Sequence, residues 1–233
     1  MSKRIILCVA ALAVSYAAVS QVRVGVKGGL NLANISVNND GTVDNNKTYP
    51  SYHVGVIADM PLIQNVLSFQ PGVFYSSKGA KLESGNKGTP SVTDPYSKYT
   101  TNPRYIEVPL NFVGKIPISS DCRLFAGIGP YFAFGVGGKN KYEFNNGVVN
   151  TSGKSDIEWD DDTPFNNDDP NQGRNKYRRF DWGGNVMVGA EISHFLVSAQ
   201  YGLGFNKINS GEESSSDNKN KNRVFGISVG YLF

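Results

Sequence analysis

The densest group of potential metal ligands in the sequence is the acidic stretch DIEWDDDTPFNNDDPNQG. Carboxylate oxygens are hard ligands of the kind that calcium prefers. The candidate calcium ligands are Asp160, Asp161, Asp162, Asp168 and Asp169. Their spacing is not that of an EF-hand loop, and no glycine occupies the central position that such a loop requires. Two interpretations therefore stay open, a calcium-binding loop and a solvated loop tip.

A basic stretch, RNKYRRF, directly follows the acidic one. Its four cations are Arg174, Lys176, Arg178 and Arg179. Arginine and lysine side chains bind phosphate groups through charge-assisted hydrogen bonds, so these residues could contact lipid phosphates. They could equally pair with the acidic residues that precede them, and the sequence does not choose between the two.

The sequence does not assemble a catalytic site. We expect its two histidines at opposite rims of the fold, because His53 follows a long link and His194 lies in a short turn. Histidines so far apart cannot form one metal site or one Ser–His–Asp set. The segment VKGGLN lacks the GxGxxG spacing of a phosphate-binding loop. We therefore expect no enzymatic activity, no metal at the histidines and no cofactor.

The first residues read as an export signal. MSKRIILCVAALAVSYAAVSQ has a basic start, a short apolar stretch and small residues before a cleavage point, which is typical of a secretory signal peptide. We expect residues 1–20 to be cleaved and residues 21–233 to form one domain. Cleavage removes Cys8 and leaves Cys122, so no intramolecular disulfide is expected. The exported chain is then close to neutral, which gives no reason to expect a nucleic-acid partner.

Eight segments of the chain alternate between apolar and polar residues with a period of two, which predicts strands with two different faces. The segments run over residues 22–32, 52–58, 67–75, 106–112, 124–134, 182–192, 195–205 and 225–233. In a soluble sandwich the apolar faces would point inward, whereas in an outer-membrane barrel they would face lipid. Alternation alone does not separate these two folds.

The links between the segments favour the barrel. Long links over residues 33–51, 82–102, 139–179 and 207–222 alternate with short turns. An antiparallel up-and-down barrel places all long links at one rim and all short turns at the other. The prediction is an all-β protein, an eight-stranded antiparallel transmembrane barrel with long extracellular loops, short periplasmic turns and periplasmic termini.

The polar faces of the strands carry charges that would then lie in the lumen. Four cations and four carboxylates are assigned there, namely Arg23, Lys27, Lys78 and Lys115 with Asp59, Glu107, Asp181 and Glu191. Buried charges are costly unless they are paired, and eight strands leave room for little more than side chains. We therefore expect a paired internal network and a closed lumen.

The strand motifs in their order resemble a known family. VGVKGGLNLAN, LSFQPGVFYSSKGAKLE, RYIEVPLNFVGKIP, LFAGIGPYFAFGVGGK and GISVGYLF are similar to the PorT-type outer-membrane β-barrel family of the Bacteroidota. The resemblance implies an outer-membrane barrel with outer-membrane lipids and lipopolysaccharide around it. It carries no catalytic residue set. The closing aromatic residues Tyr231 and Phe233 resemble the insertion signal that barrel-assembly machinery recognises in other barrels.

Three functions follow from this resemblance and from the long links. The first is a non-enzymatic barrel that presents surface loops for binding, adhesion or assembly with an envelope protein partner. The second is a component that assists protein secretion, as the family name implies. The third is a small-molecule channel or a barrel enzyme.

Overall fold

The computed structural model describes residues 22–36, 46–161, 176–208, 210 and 221–233, so the predicted signal peptide lies outside the described residues. Eight long strands dominate this part of the chain. They are β1 (Arg23–Ser36), β2 (Tyr49–Ile63), β3 (Leu67–Ser77), β4 (Tyr96–Pro117), β5 (Cys122–Asn145), β6 (Phe180–Ile192), β7 (Phe195–Gly204) and β8 (Lys221–Leu232).

The eight strands form a closed antiparallel ring. Each strand pairs with the next one along the chain, and β1 closes the ring by pairing with β8. At the closing pair, Gly25 lies opposite Leu232, and on the other side of β1, Arg23 lies opposite Asp59. Closure removes the exposed strand edges that an open sheet would have. The structure thus confirms the predicted eight-stranded up-and-down barrel.

The two faces of each strand point as the sequence predicts. Val26 is 48% exposed on the outside of the ring, whereas its neighbour Lys27 is only 6% exposed. The same contrast holds around the ring, where apolar residues such as Leu30, Ile128 and Val229 lie on the outside. A barrel with an apolar exterior and a polar interior is the arrangement that lipid requires.

The two rims of the ring differ. The short-turn rim carries the links of residues 64–66, 118–121 and 193–194. The first residue of β1 and the last residue of β8 lie at this rim too. Two turn residues, Asn65 and Ser193, have φ values of 60° and 55° that fit tight reversals. The long-link rim carries the other connections. Within the described residues, no helix is long and apolar enough to cross a membrane.

The hairpin of β4 and β5 continues past the ring at the long-link rim, where Tyr96 pairs with Asn145. The short strands Ala80–Ser84 and Asn150–Asp156 pair with its outer edges. We call residues 80–84, 96–102, 139–145 and 150–156 the sheet extension. The links are long, as predicted, but the expectation of loops throughout 82–102 and 139–179 is wrong. YSKYTTN and KNKYEFN alternate too weakly in hydropathy to show that these strands continue.

Candidate functional site

A five-residue charge cluster fills the lumen at the short-turn end. Arg23 lies 2.5 Å from Asp59 and 2.6 Å from Glu191. The Lys115 ammonium lies 2.7 Å from Asp59 and 3.4 Å from Glu191. Arg123, which the sequence did not single out, adds a contact of 2.8 Å to Glu191. The two carboxylates are fully buried and lie between three cations, so their charge is compensated where water is absent.

A second charge cluster lies at the long-link end of the lumen. The Lys78 ammonium lies 2.7 Å from Glu107 and 3.3 Å from Asp181. Asn222 and the Tyr131 hydroxyl also donate hydrogen bonds to Asp181, at 2.9 and 3.2 Å. The same ammonium lies 4.1 Å from the centre of the Tyr131 ring, which adds a cation–π contact.

Lys27, the eighth charge assigned to the lumen, lies between the clusters and has no carboxylate partner among the described residues. Its ammonium lies 3.4 Å from the Gln200 side-chain oxygen. The eight predicted charges thus do not form one network. Seven of them divide into two clusters, and Lys27 sits between them beside a cavity of about 20 Å³ that also borders Glu107.

His53 lies inside the barrel and not at the rim, so that expectation is wrong. Its Nδ1 donates to the Asn31 side-chain oxygen at 2.7 Å, and its Nε2 lies 2.8 Å from the Ser228 hydroxyl. Because β2 begins at Tyr49, before the segment read from the sequence, position 53 lies further down the lumen.

The Ser228–His53–Asn31 arrangement resembles a nucleophilic relay in its hydrogen bonding, so the argument against one from opposite rims does not hold for His53. Whether Ser228 could act as a nucleophile depends on whether a substrate can reach it. The Ser228 side chain is 1% exposed, and the cavity that His53 lines measures about 20 Å³. That volume holds a water molecule and no acyl substrate. The three residues therefore act here as a satisfied interior network.

An apolar layer crosses the lumen, and sequence reasoning missed it. It is formed by one inward residue from each strand except β1, namely Ile57, Phe74, Val113, Phe125, Met187, Leu196 and Leu232. The sequence could have identified these residues, because every second residue of a strand faces the same side. Phe125 lies two positions after Arg123 on β5 and therefore faces inward as Arg123 does. Next to Lys78 a second cavity measures only about 10 Å³. Neither cavity provides a continuous water path.

A hydrophobic cap covers the long-link end of the lumen. Its buried residues are Ile35, Ala80, Ile157, Tyr177 and Ile208, with Trp159 packed against them. The Trp159 ring also contacts Tyr105 edge-on, with 5.4 Å between ring centres. The Tyr177 hydroxyl bonds the Thr101 hydroxyl at 2.9 Å, and burial raises the pKa of Tyr177. A parallel pairing of Glu158–Trp159 with Lys176–Tyr177 holds the cap residues in place.

The acidic and basic stretches meet beside this cap. Lys176 forms an ion pair of 2.8 Å with Asp160, and the Asp161 carboxylate accepts the backbone N–H of Arg179 at 3.0 Å. Asp162, Asp168, Asp169 and Arg174 lie outside the described residues. Across the described part of the chain, no three acidic, histidine or cysteine residues group as metal ligands. Calcium binding therefore stays a prediction.

The aromatic residues assigned to insertion lie at the short-turn rim. Phe233 is 70% exposed, and its ring centre lies 5.3 Å from that of Tyr231. Tyr231 in turn contacts Phe195 at 5.1 Å and stacks on His194 at 5.7 Å. The backbone N–H of Phe233 donates to Val24, which ties the last residue to β1. These residues form one aromatic cluster beside the seam where β8 meets β1.

A family comparison agrees with this geometry. The family model described as outer membrane protein beta-barrel domain matches residues 13–210. The chain belongs to this outer-membrane β-barrel family. It is thus an outer-membrane barrel protein, and the exposed apolar exterior of its ring is the surface that faces lipid.

Solved structures of other outer-membrane barrels are similar to this one. One is Ail, the attachment invasion locus protein of Yersinia pestis, whose structure was solved in complex with the heparin analogue sucrose octasulfate. It is 12% identical to this chain with a TM-score of 0.38, and the match covers 91% of this chain and 99% of Ail. OprG of Pseudomonas aeruginosa is 13% identical with a TM-score of 0.39, covering 91% of this chain and 95% of OprG. No curated protein sequence matches the chain. The finer PorT-type resemblance stays a prediction.

Proposed function

We propose that this outer-membrane barrel is a closed, non-enzymatic anchor that holds its sheet extension at the cell surface to bind an envelope or extracellular protein. The long-link rim then faces outward, and the termini are periplasmic. The contrast between short turns and long links supports this orientation, because outer-membrane barrels have their short turns on the periplasmic side.

The observation that carries the proposal is the exposed face of the sheet extension. Leu82, Tyr99 and Tyr142 lie directly opposite one another on three neighbouring strands. Leu82 is 47% and Tyr142 48% exposed. Tyr99 between them is half-buried. Protein interfaces are enriched in tyrosine and other aromatic residues, so a row with exposed Leu82 and Tyr142 at its two ends fits a protein partner.

The other face of the sheet extension has a different character. Its carboxylates are paired, Lys81 with Glu83 at 2.9 Å and Lys98 with Glu143 at 3.2 Å. Lys98 and Glu143 are opposite each other on paired strands, where opposite charges stabilise a sheet, whereas Lys81 and Glu83 lie two positions apart on one strand. This face therefore supports the sheet extension, and the apolar row provides its contact surface.

The filled lumen supports an anchoring role for the ring itself. Two charge clusters, the apolar layer and the cap follow one another along the axis. Such an interior stabilises the barrel and leaves no route for a solute. A channel function has no support from these residues.

Thiol labelling tests the orientation. Cys122 lies at the short-turn rim and is the only cysteine that the predicted mature chain keeps. Tyr142→Cys, made in a Cys122→Ser background, should react with a membrane-impermeant maleimide on intact cells. Wild-type Cys122 should react only after the outer membrane is permeabilised. The reverse pattern would show that the sheet extension faces the periplasm.

Photo-crosslinking tests the partner surface. A crosslinking amino acid at Tyr142 should give one discrete protein adduct on intact cells, which Leu82→Ser and Tyr99→Ser in the same chain abolish. The same amino acid at Ser152, on the opposite face, should give none. Equal adducts from both faces, or none from Tyr142, would contradict the proposal. A deletion strain that loses secreted proteins would instead favour a role in export.

A further inference from the structure

Arg179 reaches the lipid-facing surface at the long-link rim. It lies at a bend just before β6, and its guanidinium carbon is 5.6 Å from the centre of the Phe134 ring. Phe134 is 52% exposed on the outside of the ring. The guanidinium therefore sits where the apolar exterior of the barrel ends.

Arg104 lies on β4, which pairs with β5 on the side away from β6. It lies on the outward side of β4, since Pro103 and Tyr105 on either side of it are buried. The register places Arg104 opposite Gly137 on β5. A side chain at Gly137 would meet nothing within 4 Å. The surface of β5 at Gly137 is therefore open beside Arg104, and β5 is also the strand next to Arg179. We call this open surface at Gly137 the floor.

Among the described residues, neither the Arg104 nor the Arg179 guanidinium forms an ion pair with a carboxylate. Lys139, two residues after Gly137, has only a long contact of 3.9 Å to Asp156. The Asp161 carboxylate accepts the backbone N–H of Arg179 and is itself exposed. Within the described part of this rim, the side chains of Arg104 and Arg179 are thus not neutralised by a carboxylate.

We propose that Arg104 and Arg179, with Gly137 as the floor between them, bind a phosphate group of an outer-leaflet lipid. Arginine forms paired hydrogen bonds to phosphate oxygens, and two arginines on either side of one strand, β5, suit one phosphate. The lipid-facing Phe134 and Ile106 directly below the site fit the acyl chains of the same molecule. A soluble phosphate would gain nothing from that apolar surface.

This inference selects among the cations that the sequence singled out. Lys176 is engaged by Asp160, and Arg174 lies outside the described residues. Arg178 donates its backbone N–H to Ile208 in the cap. Arg179 remains as the residue at the lipid boundary, and Arg104, 75 positions earlier in the chain, is added by the register of β4 and β5.

Native mass spectrometry of the full-length protein in detergent micelles tests the site with lipid A as the probe. Arg104→Gln together with Arg179→Gln should weaken lipid A binding by about tenfold or more, because each arginine contributes charge-assisted hydrogen bonds. Gly137→Leu keeps every charge and should weaken it similarly by filling the floor. Lys154→Gln removes one exposed cation from the outer edge of the sheet extension and should change nothing. All variants should keep the β-sheet circular dichroism of the wild type.

The remaining arms identify the source of the phosphate. Dephosphorylated lipid A should bind wild-type protein as weakly as lipid A binds the double arginine variant, and inorganic phosphate should not compete at equal concentration. Unchanged binding in the arginine variants, or equal binding of the dephosphorylated lipid, would overturn the inference. Effective competition by inorganic phosphate would show a site for free anions and would overturn it too. The assignment to the outer leaflet rests on the outward orientation proposed above, whereas lipid A binding in micelles does not depend on orientation. A negative thiol-labelling result and a negative binding result can therefore be told apart.

Discussion

Lys78 and Glu107 meet inside the barrel, with the ammonium nitrogen and a carboxylate oxygen 2.7 Å apart. Asp181 approaches the same ammonium, 103 residues further along the chain than Lys78. One buried cation thus compensates two buried carboxylates. The charge balance of the long-link half of the lumen therefore depends on Lys78.

Lys78→Met should destabilise the barrel by about 3–5 kcal/mol, because it leaves Glu107 and Asp181 buried without a cation. Urea unfolding in lipid vesicles measures the loss. Lys87→Met, at an exposed lysine, should change the unfolding free energy by less than about 0.5 kcal/mol. Adding Glu107→Gln and Asp181→Asn to Lys78→Met should restore much of the stability, since no unpaired charge then remains. A Lys78→Met protein as stable as the Lys87→Met protein would contradict the cluster.

The purified protein should conduct no steady current in planar bilayers. Seven apolar side chains cross the lumen between the two charge clusters, and the cavities around them hold single water molecules at most. Wild-type protein inserted into the bilayer, with insertion verified by protease protection, should leave the current at the level of the empty membrane. Porin-sized steps in repeated preparations would show that the lumen opens.

Phe233→Asp should sharply reduce the amount of protein inserted into the outer membrane. A charge on the lipid face near the interface costs only about 0–1 kcal/mol, so a large loss would reflect recognition of the last strand and not stability. Ile192→Asp is the matched control, because Ile192 is also exposed at the short-turn rim but lies on β6. Quantifying both proteins in membrane fractions gives the comparison. Equal losses would mean that the C-terminal residue has no special role.

Gly135→Val should expel Trp159 from the cap. A side chain at Gly135 would lie 2.4 Å from the Trp159 ring, so the ring has to move. The sequence has two tryptophans, and Trp182→Phe leaves Trp159 as the only indole fluorophore. In that background, Gly135→Val should shift the emission to longer wavelength as Trp159 becomes hydrated. Gly137→Val, at a position with open space, should leave the emission unchanged, and an identical shift in both variants would show that the contact does not hold the ring.

The sequence by itself determined the ring. Alternation with a period of two is a local property of each strand, and it identified all eight long strands and the apolar face of each. The order of long and short links then favoured an up-and-down barrel, whose apolar faces meet lipid, because such a barrel places all long links at one rim and all short turns at the other. Val26 and Lys27 illustrate this, since adjacent positions on a strand necessarily point to opposite faces.

Only the tertiary structure decided which inward residues meet. The stagger between strands determines which inward side chains lie opposite one another across the lumen, and no local sequence pattern encodes that stagger. The ion pair of Arg123 with Glu191 and the separation of Lys27 from the carboxylates therefore become visible only in the closed barrel. The apolar layer, the Trp159 cap and the pairing of Arg104 with Gly137 have the same origin. Each brings together residues distant in the chain, and their contacts depend on register and packing, which hydropathy along one strand does not record.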